Sequence, residues 1–130
     1  MTLSNYIENK ILDHIFTSST TPFVTTTTVY ASLHTGDPGE TGTGSPLASC
    51  PRFRVHMGAA VSATSVNDAT ASVVTSASAA AITHIGLWDG TATDTANHLW
   101  NGPMTSGGVR IIAAGSTVTL AIGILQVSLD

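Results

Sequence analysis

Charge is scarce in this chain. Lys, Arg, Asp and Glu make up 9% of its 130 residues, against about 25% in an average soluble domain. Only four of them are cationic, and the formal net charge is −4. A nucleic-acid surface needs clustered cations to displace counterions, so no nucleic-acid partner is expected. The same shortage removes a polybasic membrane anchor. Long apolar runs are missing as well. None approaches the about 20 residues of a membrane span, so no membrane partner is expected. No basic stretch followed by an apolar run opens the sequence, and no secretory signal is expected. A single cysteine, Cys50, rules out an internal disulfide. It reads as a small half-buried side chain in a loop, because a nucleophilic thiol needs a partner that lowers its pKa.

Catalytic and cofactor signatures are also absent. The sequence holds no G-x-S-x-G, no H-E-x-x-H and no dinucleotide fingerprint. Its five histidines, His14, His34, His56, His84 and His98, show no close ligand spacing such as H-x3-H. His84 and His98 could meet only across a hairpin, where a hydrogen-bonded role is the simpler expectation. Asp37, Glu40, Asp89 and Asp94 have the chemistry for a hard cation but lie in no D-x-D-x-D-G run. The expectation is a non-enzymatic protein with no cofactor and no metal.

What is present is a small-residue β pattern. Apolar residues make up 42% but aromatics only 5%, so the core should be thin. The length fits one domain with a real core. Leu3, Ile7, Ile11 and Ile15 recur at i, i+4, with Leu12 and Phe16 one position round, and predict an amphipathic helix over residues 3–16. Thr2, Ser4 and Asn5 are available caps, and Asn5 with Glu8 has capping-box spacing. The hydroxyl run ending in Pro22 should stop the helix. Such a helix either closes an open end of its own core or docks on another subunit.

From residue 24 onward the period is two. Val29, Ala31 and Leu33 alternate with Tyr30, Ser32 and His34. Residues 36–46 hold several glycines and two prolines, predicting a long loop that is mobile or held by a neighbour. Phe53, Val55 and Met57 alternate with Arg52, Arg54 and His56, which share the most charged face and suit a protein contact. Residues 59–81 are dominated by Ala, Ser, Thr and Val. They predict weak strands near Val61 and Val73, with a turn at Asn67-Asp68.

Ile82 to Trp88 is apolar on both faces, as for a strand buried on both sides, with Ile82, His84, Gly86 and Trp88 expected on one of them. Gly86 permits close approach, and His98 to Asn101 is the expected return strand. Residues 109–112 and 117–129 read as a last hairpin about Ala114-Gly115-Ser116, with a bulge or bend at Gly123 where the apolar phase changes parity. The predicted fold is mainly β, a single antiparallel β-sandwich or barrel-like domain with one N-terminal amphipathic helix. The domain spans 1–130, with the helix over 1–16 and the β-domain over 24–130.

Several of these stretches, in this order, resemble a known family. They are residues 3–16, Val29 to Thr35 with Asp37-Pro38-Gly39-Glu40, Thr83 to Asp89, Ala114 to Thr117, and Ala121-Ile122-Gly123 through Asp130. Together they resemble small tailed-phage virion structural proteins, whose members often carry the label tail fiber protein. The resemblance implies a virion component, made in the host bacterial cytoplasm, whose partners are the major capsid protein or tail proteins and other copies of itself, for instance as a trimer. A fibre needs length, usually from a repeat or coiled coil, which this chain lacks. A capsid decoration (cement) role is therefore the first expectation. A minor tail, tail-fibre or baseplate role is the alternative. A carbohydrate-binding module is a third reading and requires Trp88 or Trp100 to be exposed. The candidate contact residues are Leu3, Ile7, Ile11, Ile15, Asp37, Glu40, Arg52, Arg54 and His56.

Overall fold

A computed structural model describes residues 2–17, 28–75, 78–92, 94–104 and 110–128. The expected helix stop at residues 18–22, the start of the first long strand, and the parts of the last strands at Val109 and Leu129 lie outside the described residues. The elements are β1 (Thr2–Leu3), α1 (Asn5–Phe16), β2 (Val29–His34), β3 (Phe53–Val55), β4 (Thr64–Val66) and β5 (Ala71–Val74). They continue with β6 (Ala80–Ile82), β7 (His84–Trp88), β8 (His98–Pro103), β9 (Arg110–Ile112), β10 (Thr117–Leu120) and β11 (Gln126–Ser128).

Five strands form the main antiparallel sheet in the order β1-β8-β7-β2-β3. The central strand is β7, which pairs with β2 on one side and β8 on the other. Period two sorts its residues. Ile85 and Leu87 join Ala31, Leu33, Phe53, Val55 and Trp100 in the core. His84, Gly86 and Trp88 stand opposite His34, Ser32 and Tyr30 on the other face. Two-stranded pairs cover the core. Val73 and Ala71 of β5 register with Val118 and Leu120 of β10, and Ile82 and Ile112 come from the β6–β9 pair. The outcome is a sandwich-like β-domain, with no closed barrel among the described residues.

Several expectations shift. The helix starts at Asn5, not Leu3. Leu3 is instead a strand residue opposite Trp100, so it does not belong to the helical stripe. The N-cap is Ser4, whose hydroxyl accepts from Ile7 N at 3.4 Å. Asn5 therefore forms no capping box with Glu8. The same Ser4 hydroxyl donates to the His98 carbonyl, and Ser4 N donates to Leu99 O at 3.1 Å. One buried serine thus starts the helix and ties it to β8.

Ile82 is not on the face of His84 and Trp88. The ladder breaks at Thr83, so Ile82 pairs in β6 and enters the core. The expected last hairpin is replaced by a turn between strands of different pairs: β9 joins β6, and β10 joins β5. At Gly123, with φ +78°, the chain turns fully and β11 pairs with β4. This is more than a bulge.

Asn67 explains that turn. The expected Asn67-Asp68 turn is absent because Asn67 is fully buried. Its amide donates to Ala69 O at 3.1 Å and Ala121 O at 2.8 Å, while its Oδ1 accepts from Leu125 N at 2.8 Å. Backbone bonds to Leu125 O and from Gly123 N complete the clamp. The true turn lies nearby. Ser62 and Ala63 both have positive φ, 51° and 59°, between Val61 and Thr64, which exchange both backbone bonds. That is a type I′ hairpin without the residues it prefers.

Two stability outcomes follow from these local features. Asn67→Ala leaves buried backbone groups unpaired and should lower unfolding free energy by about 3 kcal/mol in urea titrations. Replacing Ser62-Ala63 by Asn-Gly relieves left-handed strain and should raise it by about 1 kcal/mol.

Candidate functional site

The outer face of the main sheet carries a buried polar cluster roofed by residues 36–46. His34 Nδ1 lies 2.7 Å from the Gly44 carbonyl. A carbonyl only accepts, so Nδ1 carries the proton and Nε2 is the acceptor in the neutral ring. Ser32 Oγ–H donates to that Nε2 at 2.7 Å, and Ser32 Oγ accepts from Trp88 Nε1 at 2.8 Å. His98 Nδ1 donates to the Glu40 carbonyl at 3.1 Å, and Asn101 Nδ2 to the Gly39 carbonyl at 3.0 Å. Three side chains of the sheet thus hold three carbonyls of the loop. The loop adds its own bonds, Gly42 N to Gly39 O and Gly44 N to Pro38 O. It is a strap held by its own domain, which settles the expectation of a mobile or neighbour-held loop in favour of neither.

Gly42 makes this fit possible. Its φ is +71°, and a Cβ there would lie 2.5 Å from His98 Cδ2 and 2.7 Å from Trp88 Cζ2. The Trp88 ring is covered on other sides by His98, with centroids 4.8 Å apart, and by Arg52, whose Cζ is 3.5 Å from the ring centroid.

Burial, before any other influence, pushes both imidazoles below the ordinary 6.5. The Gly44 carbonyl opposes this at His34. The Glu40 and Trp100 carbonyls and the Glu40 carboxylate oppose it at His98. Arg52 acts against protonation of both. Unfolded, these rings take up protons as pH falls through 6.5; folded, they resist to lower pH. The unfolded chain then binds more protons, so the stability present above that value is lost as pH falls below it.

The expected Arg52/Arg54/His56 face is not one patch. Arg52 stacks on Trp88 and donates to Gly90 O at 3.3 Å and Ala92 O at 2.6 Å. His56 Nδ1 is engaged by the Asp68 carboxylate. Arg54 is exposed in β3. Asp37 is likewise engaged, its Oδ1 accepting from Gly39 N at 2.8 Å. Glu40 takes part through its carbonyl, and its residue is exposed. His84 and His98 serve separate partners, since His84 Nδ1 is 2.9 Å from Thr83 Oγ1. Period-two reading placed Tyr30, Ser32 and His34 together. The strap over them was missed, and Gly42 was its only trace in the sequence.

The helix is the second surface. None of its residues is buried. Ile7 and Ile11 are half-buried, whereas Leu12, Ile15 and Phe16 are 52%, 62% and 77% exposed. Beside its first turn lies an apolar cleft of about 220 Å³, lined by Leu3, Ile7, Val29, Met57, Leu99 and Val127, among others. The helix therefore does not close its own domain's core; most of its apolar side faces outward. Trp88 and Trp100 are each only 4% exposed, so the glycan-binding reading loses the feature it required.

A family model described as Podophage GP4 fiber I protein gp80 matches residues 2–128. The chain belongs to that family. It is thus a bacteriophage virion structural protein of fibre type, as the resemblance implied. No curated protein matches the chain. Among the described residues, no helix is long and apolar enough to cross a membrane. The match spans both the helix and the strap, so both surfaces lie within the family's domain.

Gly42→Ala tests the strap directly. Positive φ and the ring contacts together should cost about 3 kcal/mol, measured by chemical denaturation at pH 7.5. The same change at Gly39, where φ is +68° but no atom lies within 4 Å of the added Cβ, should cost about 1 kcal/mol.

Proposed function

We propose that this chain is a non-enzymatic tail-fibre-type subunit that joins other copies of itself through the apolar side of α1. The family match favours the fibre placement over capsid decoration. The observation that carries the proposal is the exposed apolar side chains of the helix: none of its twelve residues is buried, and Leu12, Ile15 and Phe16 are turned to solvent. Burying each such side chain on a neighbour stabilises the contact by about 1–2 kcal/mol. Ile7 lines an apolar cleft beside the first turn of the helix, which adds apolar area next to the exposed side chains. A two-fold contact uses the same patch on both partners.

Multi-angle light scattering of the purified protein should report an oligomer. The pair Ile15→Asp and Phe16→Asp places charge at two exposed positions. It should give a monomer with its melting temperature within about 3 °C of the parent. A parent that stays monomeric at high concentration, or a variant that associates as strongly, would sink the proposal. Labelling the chain in intact particles tests its placement: signal at the tail supports the fibre reading, and signal over the head restores decoration.

A further inference from the structure

Besides the backbone contacts of Ser45 and Pro46 with the end of β2, three side chains tie the strap to the sheet, and they are not equal. Two are imidazoles and one, Asn101, does not titrate. Each imidazole spends its Nδ1–H on a strap carbonyl, so an added proton can go only to Nε2. At His34 that site already accepts the Ser32 hydroxyl. Protonation would leave Ser32 Oγ facing two donors, the ring and Trp88 Nε1, with its own hydrogen displaced. At His98 the Nε2 is buried and makes no hydrogen bond, although the nearby Trp100 carbonyl favours the charged ring. Both Nε2 atoms lie close to one point. The position a Cβ would take on Gly86 is 3.3 Å from the first and 3.4 Å from the second. Both rings thus flank Gly86, and charge on His98 opposes charge on His34.

The other charged groups around them decide the sign. Arg52, reaching in from beside β3, and His84 of β7 oppose charge at His34; Arg52 also opposes it at His98. Asp89, at the end of β7, is held by Asn97 through its backbone N at 2.6 Å and its side-chain amide at 2.7 Å. Glu40 favours a charged His98 but sits on the strap itself, at an exposed position. Among the described residues, no carboxylate on the sheet side is placed to hold two imidazolium ions under the strap.

We propose that the 36–46 strap is an acid-released latch: protonation of His34 and His98 frees it from the sheet and uncovers Trp88 while the rest of the domain stays folded. The strap can open without global unfolding because it rests on the sheet's outer face. The core under β5, β10 and β6 contains none of these groups. The latch does not depend on the self-association proposed for α1.

Hydrogen exchange read by mass spectrometry tests it, corrected for the intrinsic pH dependence of exchange. Between pH 7.5 and pH 5.0, protection of residues 39–44 should fall at least tenfold while protection of 71–74 and 117–120 holds. His34→Asn with His98→Asn keeps an amide donor near each Nδ1 position and removes the titration, so the strap should stay protected at pH 5.0. Should the double variant fail to fold, histidine ring shifts in the unaltered protein give a second reading. His34 and His98 must titrate over the pH range in which the strap opens. The proposal is overturned if strap and core lose protection together, if the strap is as protected at pH 5.0 as at 7.5, if the folded double variant opens at the same pH, or if the two rings titrate outside that range.

Discussion

Everything on the outer face of the main sheet depends on supplying donors to three loop carbonyls, those of Gly39, Glu40 and Gly44. A buried carbonyl without a donor costs about 1–3 kcal/mol, so the strap can lie flat only where the sheet offers N–H groups at the right spacing. Asn101, His98 and His34 provide them from β8 and β2. That requirement makes β7 a strand covered on both faces, with hydrophobic packing below and a polar lattice above. It also places a tryptophan away from the main core. Trp88 is buried because the strap, His98 and Arg52 enclose it, and its N–H is satisfied by Ser32.

Period two carried most of the fold that could be read in advance. Ala31, Leu33, Phe53, Val55, Ile85 and Leu87 all point where alternation placed them, because a one-residue slip would have turned each to the wrong face. The misreadings have a common physical cause: long-range partners outvoted local preference. Asn67 looked like a turn residue, since Asn favours turns, but Ala121 and Leu125 draw it inward. The actual turn is at Ser62-Ala63, whose side chains give no hint of positive φ. Leu3 continued a helical stripe in sequence, yet Trp100 recruited it into a strand. The parity change at Gly123 was visible; that it marked a change of strand partner was not, because pairing is set by residues over 50 positions away.

The candidate contacts divide along the same line. Those on the helix rest on a local pattern, and Ile7, Ile11 and Ile15 do lie on a helix, the first two half-buried and Ile15 exposed. The charged face was inferred from alternation alone, which shows that Arg52, Arg54 and His56 share a side of the strand but not what meets them there. A stacked Trp88 claims Arg52, and Asp68 claims His56. In a chain with so few ions, a charge is more readily used inside its own domain than left free for a partner. That tilts the search for a docking surface from charge to apolar area, and so to α1.

The two surfaces then differ in what can disturb them. An apolar helix face associates by burying methyl and ring carbon, a force indifferent to pH and little weakened by salt. The strap is held by neutral imidazoles and responds to protons. Ser4 connects them physically: it caps α1, and its hydroxyl bonds the carbonyl of His98, whose ring holds Glu40. The backbone of His98 thus anchors the helix while its side chain anchors the strap. A backbone bond survives ring protonation, so loss of the strap need not detach the helix. Because His98 serves helix and strap through chemically independent groups, the proposed acid release of the strap and the proposed association through α1 need not interfere with each other.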